Sequence, residues 1–244
     1  MMLEIAMRQQ AVDFSCVPED FCLSENKVVI SKENLSARRW AKSPSFCKLT
    51  SFGGSVVAAV HADIAQFVLD YISERKIEDC FSPPGIFVLN DELRKHGRTI
   101  NFSAEYYLPD IKSVKPISCD YEMKTMQPVD FAHLYDTRWS NALGNEQTKH
   151  SDMLAVGAYD GSRLVGLASC GAESADMWQI GFDVLPDYRG KGIASAITSR
   201  LTIEILKLEK VPYTGRVWAN IPSFKTSLNS GFKPVWIEMA TGPI

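Results

Sequence analysis

The sequence predicts an α/β protein of the α+β kind: a mixed, mostly antiparallel sheet with flanking helices, preceded by a smaller mixed α/β region. Residues 153–159 and 163–170 are strand-forming runs on either side of Asp160-Gly161, the pattern of an antiparallel hairpin. An apolar run ending at Val184 stops at Pro186 and reopens, past Gly190 and Gly192, into a stripe of Ile197, Leu201, Ile205 and Leu208 at helical steps. In the first half, Ile64, Phe67, Val68, Tyr71 and Ile72 recur at helical spacing ahead of an extended run over residues 99–107, so both element types occur there too.

Taken in order, the helix over Ile64 to Ile72 starts behind Asp63. Residues 86–89 follow Ser82-Pro83-Pro84-Gly85 and read as a short buried strand or the start of a helix. After the strand at 99–107, the two prolines and polar residues of 107–116 mark a linker, which divides the chain into domains 1–115 and 117–244. The second domain reads more clearly. It starts with a strand at 121–126, a helix at 131–139 opened by Asp130 as a cap, and the hairpin. A strand at 177–184, the helix from Ile193, a strand at 212–218 and a helix at 222–229 follow. Gly231 then ends that helix before a last strand at 232–239. Trp178, Trp218 and Trp236 are expected to pack on the sheet.

With 244 residues, 45% of them hydrophobic, the chain has ample material for packed cores. A formal net charge of −3 argues against broad adhesion to nucleic acid or to an anionic membrane. No apolar run approaches the roughly 20 residues that span a bilayer, and Glu4 and Arg8 bracket the apolar start, so a cytoplasmic protein is expected. Cys16, Cys22, Cys47, Cys80, Cys119 and Cys170 are scattered without a C-x-x-C pair, which suits reduced, mostly buried thiols. His61, His96, His133 and His150 lack metal-ligand spacing, and no metal is expected.

The richest chemistry lies in Arg189-Gly190-Lys191-Gly192-Ile193-Ala194. Gly190 and Gly192 remove the Cβ atoms that would keep a ligand off the backbone, and they accept the dihedrals that turn successive N–H groups inward. The helix that follows adds its own unpaired N–H groups and the positive end of its dipole, so the turn suits phosphate. Arg189 and Lys191 bring formal charge to the same place. Dinucleotide and nucleoside-triphosphate sites are disfavoured, since neither G-x-G-x-x-G nor G-x-x-x-x-G-K-S/T occurs around residue 190.

This run resembles the R/Q-x-x-G-x-G/A signature of the GNAT superfamily of acyl-CoA-dependent N-acyltransferases. Downstream, Val217-Trp218-Ala219-Asn220 followed by a helix and Gly231-Phe232 resembles the superfamily's other cofactor motif. The resemblance covers roughly residues 117–244 and implies a sheet that splays beside the phosphate-binding helix, with acetyl-CoA as co-substrate in the gap. By position, it assigns the Val184 backbone to the pantetheine arm and the thioester carbonyl. It gives the amides of Arg189, Gly190, Lys191, Gly192, Ile193 and Ala194 to the pyrophosphate, and Asn220 to the pantetheine side, with Ser223 and Lys225 as secondary cofactor contacts.

A thioester is already activated, so such a site need only place an amine, take a proton from it and stabilise the oxyanion. The acceptor implied is a primary amine of a small molecule or peptide. Many members carry a Tyr four residues before the glycine matching Gly231, where this chain has Ser227; Tyr213 or water could deliver that proton instead. Histone-acetylating members carry a Glu six residues before the position of Val184, where this chain has Trp178. The candidate catalytic residues are therefore Glu173, Asp183 and Ser227, with Asp176 a further acid nearby. Asp183 alternates with Val184 and could face the other side of the sheet, and Asn220 could simply cap the next helix. Without the acid and the phenol, a non-catalytic acyl-CoA-binding regulatory module is the rival reading. The first domain is expected to bind substrate or to form a homodimer.

Overall fold

A computed structural model of the chain describes all 244 residues. In chain order it contains α1 (Met2–Phe14), β1 (Lys27–Ile30), β2 (Cys47–Ser51), β3 (Val57–Val60), α2 (Ala65–Ser73), α3 (Ile77–Cys80), α4 (Pro83–Arg94) and β4 (Arg98–Pro109). There follow β5 (Glu122–Met126), α5 (Pro128–Phe131), β6 (Asp152–Asp160), β7 (Arg163–Ala172), β8 (Met177–Val184), α6 (Ile193–Lys207), β9 (Val211–Arg216), α7 (Ile221–Asn229) and β10 (Phe232–Pro243). The mixed, mostly antiparallel architecture with flanking helices is as expected. No helix is long and apolar enough to cross a membrane.

The chain forms two compact units, Met1–Tyr106 with Val235–Ile244, and Tyr107–Pro234. The sequence suggested a single boundary near residue 116, but the chain passes between the units twice, inside β4 and inside β10. The expected linker is strand up to Pro109 and irregular only beyond it.

In the first unit the strand order is β1-β3-β2-β10-β4. β2 reads Cys47-Lys48-Leu49-Thr50-Ser51 and is buried at every position, as is β3, so neither shows the alternation that would reveal a half-exposed strand. β10 closes on β2 antiparallel with Met239 opposite Leu49. One core joins Leu49, Ala58 and Met239 to Val68, Ile72, Leu89 and Leu93 of the helices. α4 resolves the open reading of residues 86–89 in favour of helix, with Pro83 in its first turn, where a missing N–H costs nothing. The start of the preceding helical stretch is fixed by His61, whose ring accepts from the Asp63 amide, so Asp63 itself is not the cap.

In the second unit the order is β9-β8-β7-β6-β5. β5 to β8 are antiparallel and β8 pairs with β9 in parallel. α6 lays Ile193, Ile197, Leu201 and Ile205 against Val156, Val165, Ala168 and Ile180, all buried. Each of the Ile, Leu and Val side chains contributes about 1.5–3 kcal/mol by leaving water. Leu208 falls beyond the helix and is exposed, one step outside the predicted stripe. The expected helix at 131–139 is replaced by the single turn of α5 and a short 3₁₀ turn at Thr137–Trp139. Asp130 accepts from the Gln127 amide and Asp136 from the Arg138 amide. These are two separate starts, and Phe131 and Trp139 are buried from different turns.

Candidate active site

The second unit opens where β8 and β9 part. Their pairing has only the rungs Met177 with Val211, Trp178 with Pro212 and Gln179 with Tyr213, yet β8 runs on to Val184 and β9 to Arg216. On its other side β8 stays paired with β7 as far as Gly166 opposite Val184. The Leu185 amide donates to the Val165 carbonyl at 2.9 Å, which sets the parity: odd residues of β8 spend their main-chain groups on β7. Phe182 and Val184 therefore turn their N–H and C=O groups to the parted edge.

Past Val184 the chain makes a 3₁₀ turn over Pro186–Tyr188 and enters the glycine run. Gly190 and Gly192 both have φ of +78°, and neither has any atom within 4 Å of a notional Cβ. Conformation rather than crowding demands glycine here. Gly192 is the N-cap of α6, and the first main-chain bond of the helix is from the Ala196 amide to the Gly192 carbonyl. The amides of Ile193, Ala194 and Ser195 are thus the unpaired donors of a helix start, continued backwards by Gly190, Lys191 and Gly192, whose amides have no acceptor within the protein. Arg189 is exposed, and its Nε donates to the Val184 carbonyl at 3.0 Å, joining the strand end to the cradle.

The other lip is built by Arg216, which is buried. It donates through Nε to the Tyr107 hydroxyl at 2.9 Å and through a terminal nitrogen to the Trp218 carbonyl at 2.8 Å, while packing over the Phe224 ring. Val217 and Trp218 lie beyond β9 rather than in it, and Trp218 is 70% exposed, so it does not pack on the sheet as expected. Asn220 Oδ1 accepts from the Ser223 amide at 3.1 Å, so this side chain caps α7. Ser223 is half-buried and Lys225 exposed on the same helix.

The catalytic candidates are not gathered at one point. The Asp183 carboxylate faces away from α6 and accepts three bonds, from the Asn141 amide (2.8 Å), its Nδ2 (2.7 Å) and the Ala142 amide (2.9 Å). It fastens a loop to the sheet and is a positioning residue. That loop lies so close that a Cβ on Gly181 would stand 1.9 Å from the Asn141 carbonyl oxygen. Ser227 is buried in α7 and its Oγ has no hydrogen-bond partner. Tyr213, which sequence could not place, sits at the last rung before the strands part, its hydroxyl 3.1 Å from Gln179 Oε1. Glu173 is half-buried next to the rung joining Gly171 to Gln179. Its Oε1 and Asp152 Oδ1 lie 3.6 and 3.7 Å from the point where a Gly171 Cβ would be. Asp152 accepts from the Tyr135 hydroxyl and the Gly144 amide.

A family profile described as the Acetyltransferase (GNAT) family matches residues 119–220. Residues 119–220 are a GNAT acetyltransferase domain. Among solved structures, the chain is similar to a GCN5-related N-acetyltransferase-like protein from Streptococcus suis, with a TM-score of 0.52 at 16% identity over 100% of this chain and 98% of that one. It is also similar to a GCN5-related N-acetyltransferase from Kribbella flavida, with a TM-score of 0.50 at 14% identity over 77% and 80% of the two chains. At those identities the likeness concerns fold. No curated protein matches the sequence. The residues of the GNAT domain fit acetyl-CoA: the amides from Gly190 to Ser195 suit a pyrophosphate, and the parted edge of β8 suits an arm made of amide units.

Proposed function

We propose that the second unit binds acetyl-CoA between β8 and β9 and transfers its acetyl group to a primary amine of a small molecule or peptide, by direct attack on the thioester. The parting of the two strands next to the glycine cradle carries this reading, because it offers main-chain donors to an extended polar arm and to a pyrophosphate at once. Outward amides on β8, at Phe182 or Val184, would stabilise the oxyanion. Glu173 would take the amine's proton, directly or through water, being the candidate carboxylate nearest the rung where the strands part. Tyr213 is the phenol at that rung and would supply the proton for the leaving thiolate, a phenol being a stronger acid than the Ser227 hydroxyl. The first unit would grip the acceptor or form a homodimer, and neither nucleic acid nor a membrane enters this reading.

A non-catalytic acyl-CoA-binding module is the second reading, favoured by Trp178 and the buried Ser227 at the places of the usual acid and phenol. Isotopic acetyl transfer to a panel of amines, alongside calorimetric binding of acetyl-CoA, separates the two. Turnover on any amine supports the enzyme. Tight binding with none supports the module, and no binding overturns both.

A further inference from the structure

Arg163, Arg189 and Lys191 surround the cradle, and none has a carboxylate oxygen within the 4.0 Å of an ion pair. Several exposed cations elsewhere do find one: Arg94, Lys95, Arg138, Lys149 and Lys207 each pair with a nearby Asp or Glu. At the cradle, aromatic rings take the place of acids. The Arg163 guanidinium lies 5.5 Å from the centre of the Tyr188 ring and the Lys191 ammonium 4.8 Å from it. Tyr121 meets Tyr188 edge-on at 5.7 Å, with its hydroxyl 3.4 Å from Lys191 Nζ. Two cations thus share one phenol ring with no direct ion pair to either, and Asp160 is bonded to the hydroxyl of that ring.

The arrangement is also fixed in place. Asp160 and Arg163 face each other at the end of the hairpin of β6 and β7. The Tyr188 hydroxyl donates to Asp160 Oδ2 at 2.9 Å, which ties that hairpin end to the turn leading into the cradle. Arg163 is thus carried by a rigid hairpin and Lys191 by the glycine run itself.

We infer that Arg163 and Lys191, stacked on Tyr188, form a second phosphate subsite beside the backbone cradle, one that takes the 3′-phosphate of the coenzyme A nucleotide and so selects coenzyme A over its dephosphorylated form. This rests on the acetyl-CoA reading above. The chemistry divides sensibly. Main-chain amides suit the diester-like pyrophosphate, whereas a terminal phosphate monoester carries close to two charges and calls for formal cations, of which a guanidinium can donate two parallel bonds. Both cations are exposed, so their contribution weakens as salt rises.

Calorimetry on the full chain with acetyl-CoA and with acetyl-dephospho-CoA tests the inference. The wild type should prefer acetyl-CoA about tenfold. Arg163→Gln should bring that ratio towards one while leaving affinity for the dephospho form unchanged. Asp160→Asn keeps an oxygen for the Tyr188 hydroxyl but removes the opposing charge, and should raise the ratio. Equal affinities in the wild type, or an Arg163→Gln variant that weakens both ligands alike, would overturn the subsite. Failure of both ligands to bind the wild type would instead overturn the acetyl-CoA reading beneath it.

Discussion

Arg38 of the first unit and the cations beside the cradle of the second sit in opposite surroundings. In the first, Arg38 is fully buried with Asp13, Gln10, Lys48 and Glu238 around it. Arg38 Nε pairs with Asp13, and another of its nitrogens with Gln10. Gln10 Nε2 and Trp236 Nε1 donate to Glu238 at 2.7 and 2.8 Å, and Lys48 Nζ donates to the Asp13 carbonyl at 2.6 Å. Burial pushes the Lys48 ammonium below its ordinary pKa, and the Asp13 and Glu238 carboxylates only partly restore it. In the second unit Arg163, Arg189 and Lys191 are exposed and have no acid partner. Charges neutralised by buried neighbours hold the fold together, and the unpaired charges beside the cradle are the ones that the proposal gives to a ligand. A net charge of −3 conceals both.

The most damaging way to break this contrast is Arg38→Met, which strands the Asp13 and Glu238 carboxylates out of water. Urea denaturation should show a loss of about 3–5 kcal/mol; a loss below about 1 kcal/mol would mean that the buried charges do not hold the unit together. Next comes Gly192→Glu, which puts bulk, negative charge and a side chain into a left-handed φ. Acetyl-CoA affinity should fall about a hundredfold or more, at a stability cost of only about 1–2 kcal/mol. Unchanged affinity in a calorimetric titration would remove the cradle from cofactor binding.

Asp183→Ala probes a charge between these extremes, half-buried and saturated by main-chain donors. It should destabilise by about 1–3 kcal/mol, with faster amide exchange at Asn141 and Ala142. If exchange there stays slow, the carboxylate does not fasten the loop. The smallest effect belongs to Asp110, whose carboxyl is held down at about 2, first by the Lys233 ammonium and then by the Ser113 hydroxyl. A carboxyl whose pKa is lower in the folded state adds stability above its ordinary value and loses it as the pH falls through the folded one. The Tm gap between wild type and Lys233→Gln should therefore close as pH is lowered from about 5 to about 2. A gap that stays constant would show that the pair does not depend on the charge of Asp110.

Much of the second unit was legible because its constraints are local. β8 spans the predicted residues, Gly190 and Gly192 adopt the left-handed φ, and α6 begins at Ile193. Period and dihedral are properties of a few neighbouring residues. What sequence missed was decided at a distance. β2 and β3 are buried on both faces, so no alternation marked them. The end of β10 belongs with β2 because of a partner far back in the chain. Asp183 looked like a candidate base until the Asn141 loop closed over it. Trp218 looked like a packing residue, yet the strand stops at Arg216 and the indole points out. The glycine cradle was readable in this way. The meeting of Glu173 with Asp152, and the place of Tyr213 at the last rung, were not.

The return of β10 to the first unit also sets an order of assembly. Residues 235–244 are synthesised after the whole of residues 119–220, so the strand that completes the sheet between β2 and β4 is missing until they are made. The inserted unit can fold early and brings its two ends into place, shortening the loop that the first unit must close. Until that happens β2 has one bare edge, lined by the amides and carbonyls that β10 will take.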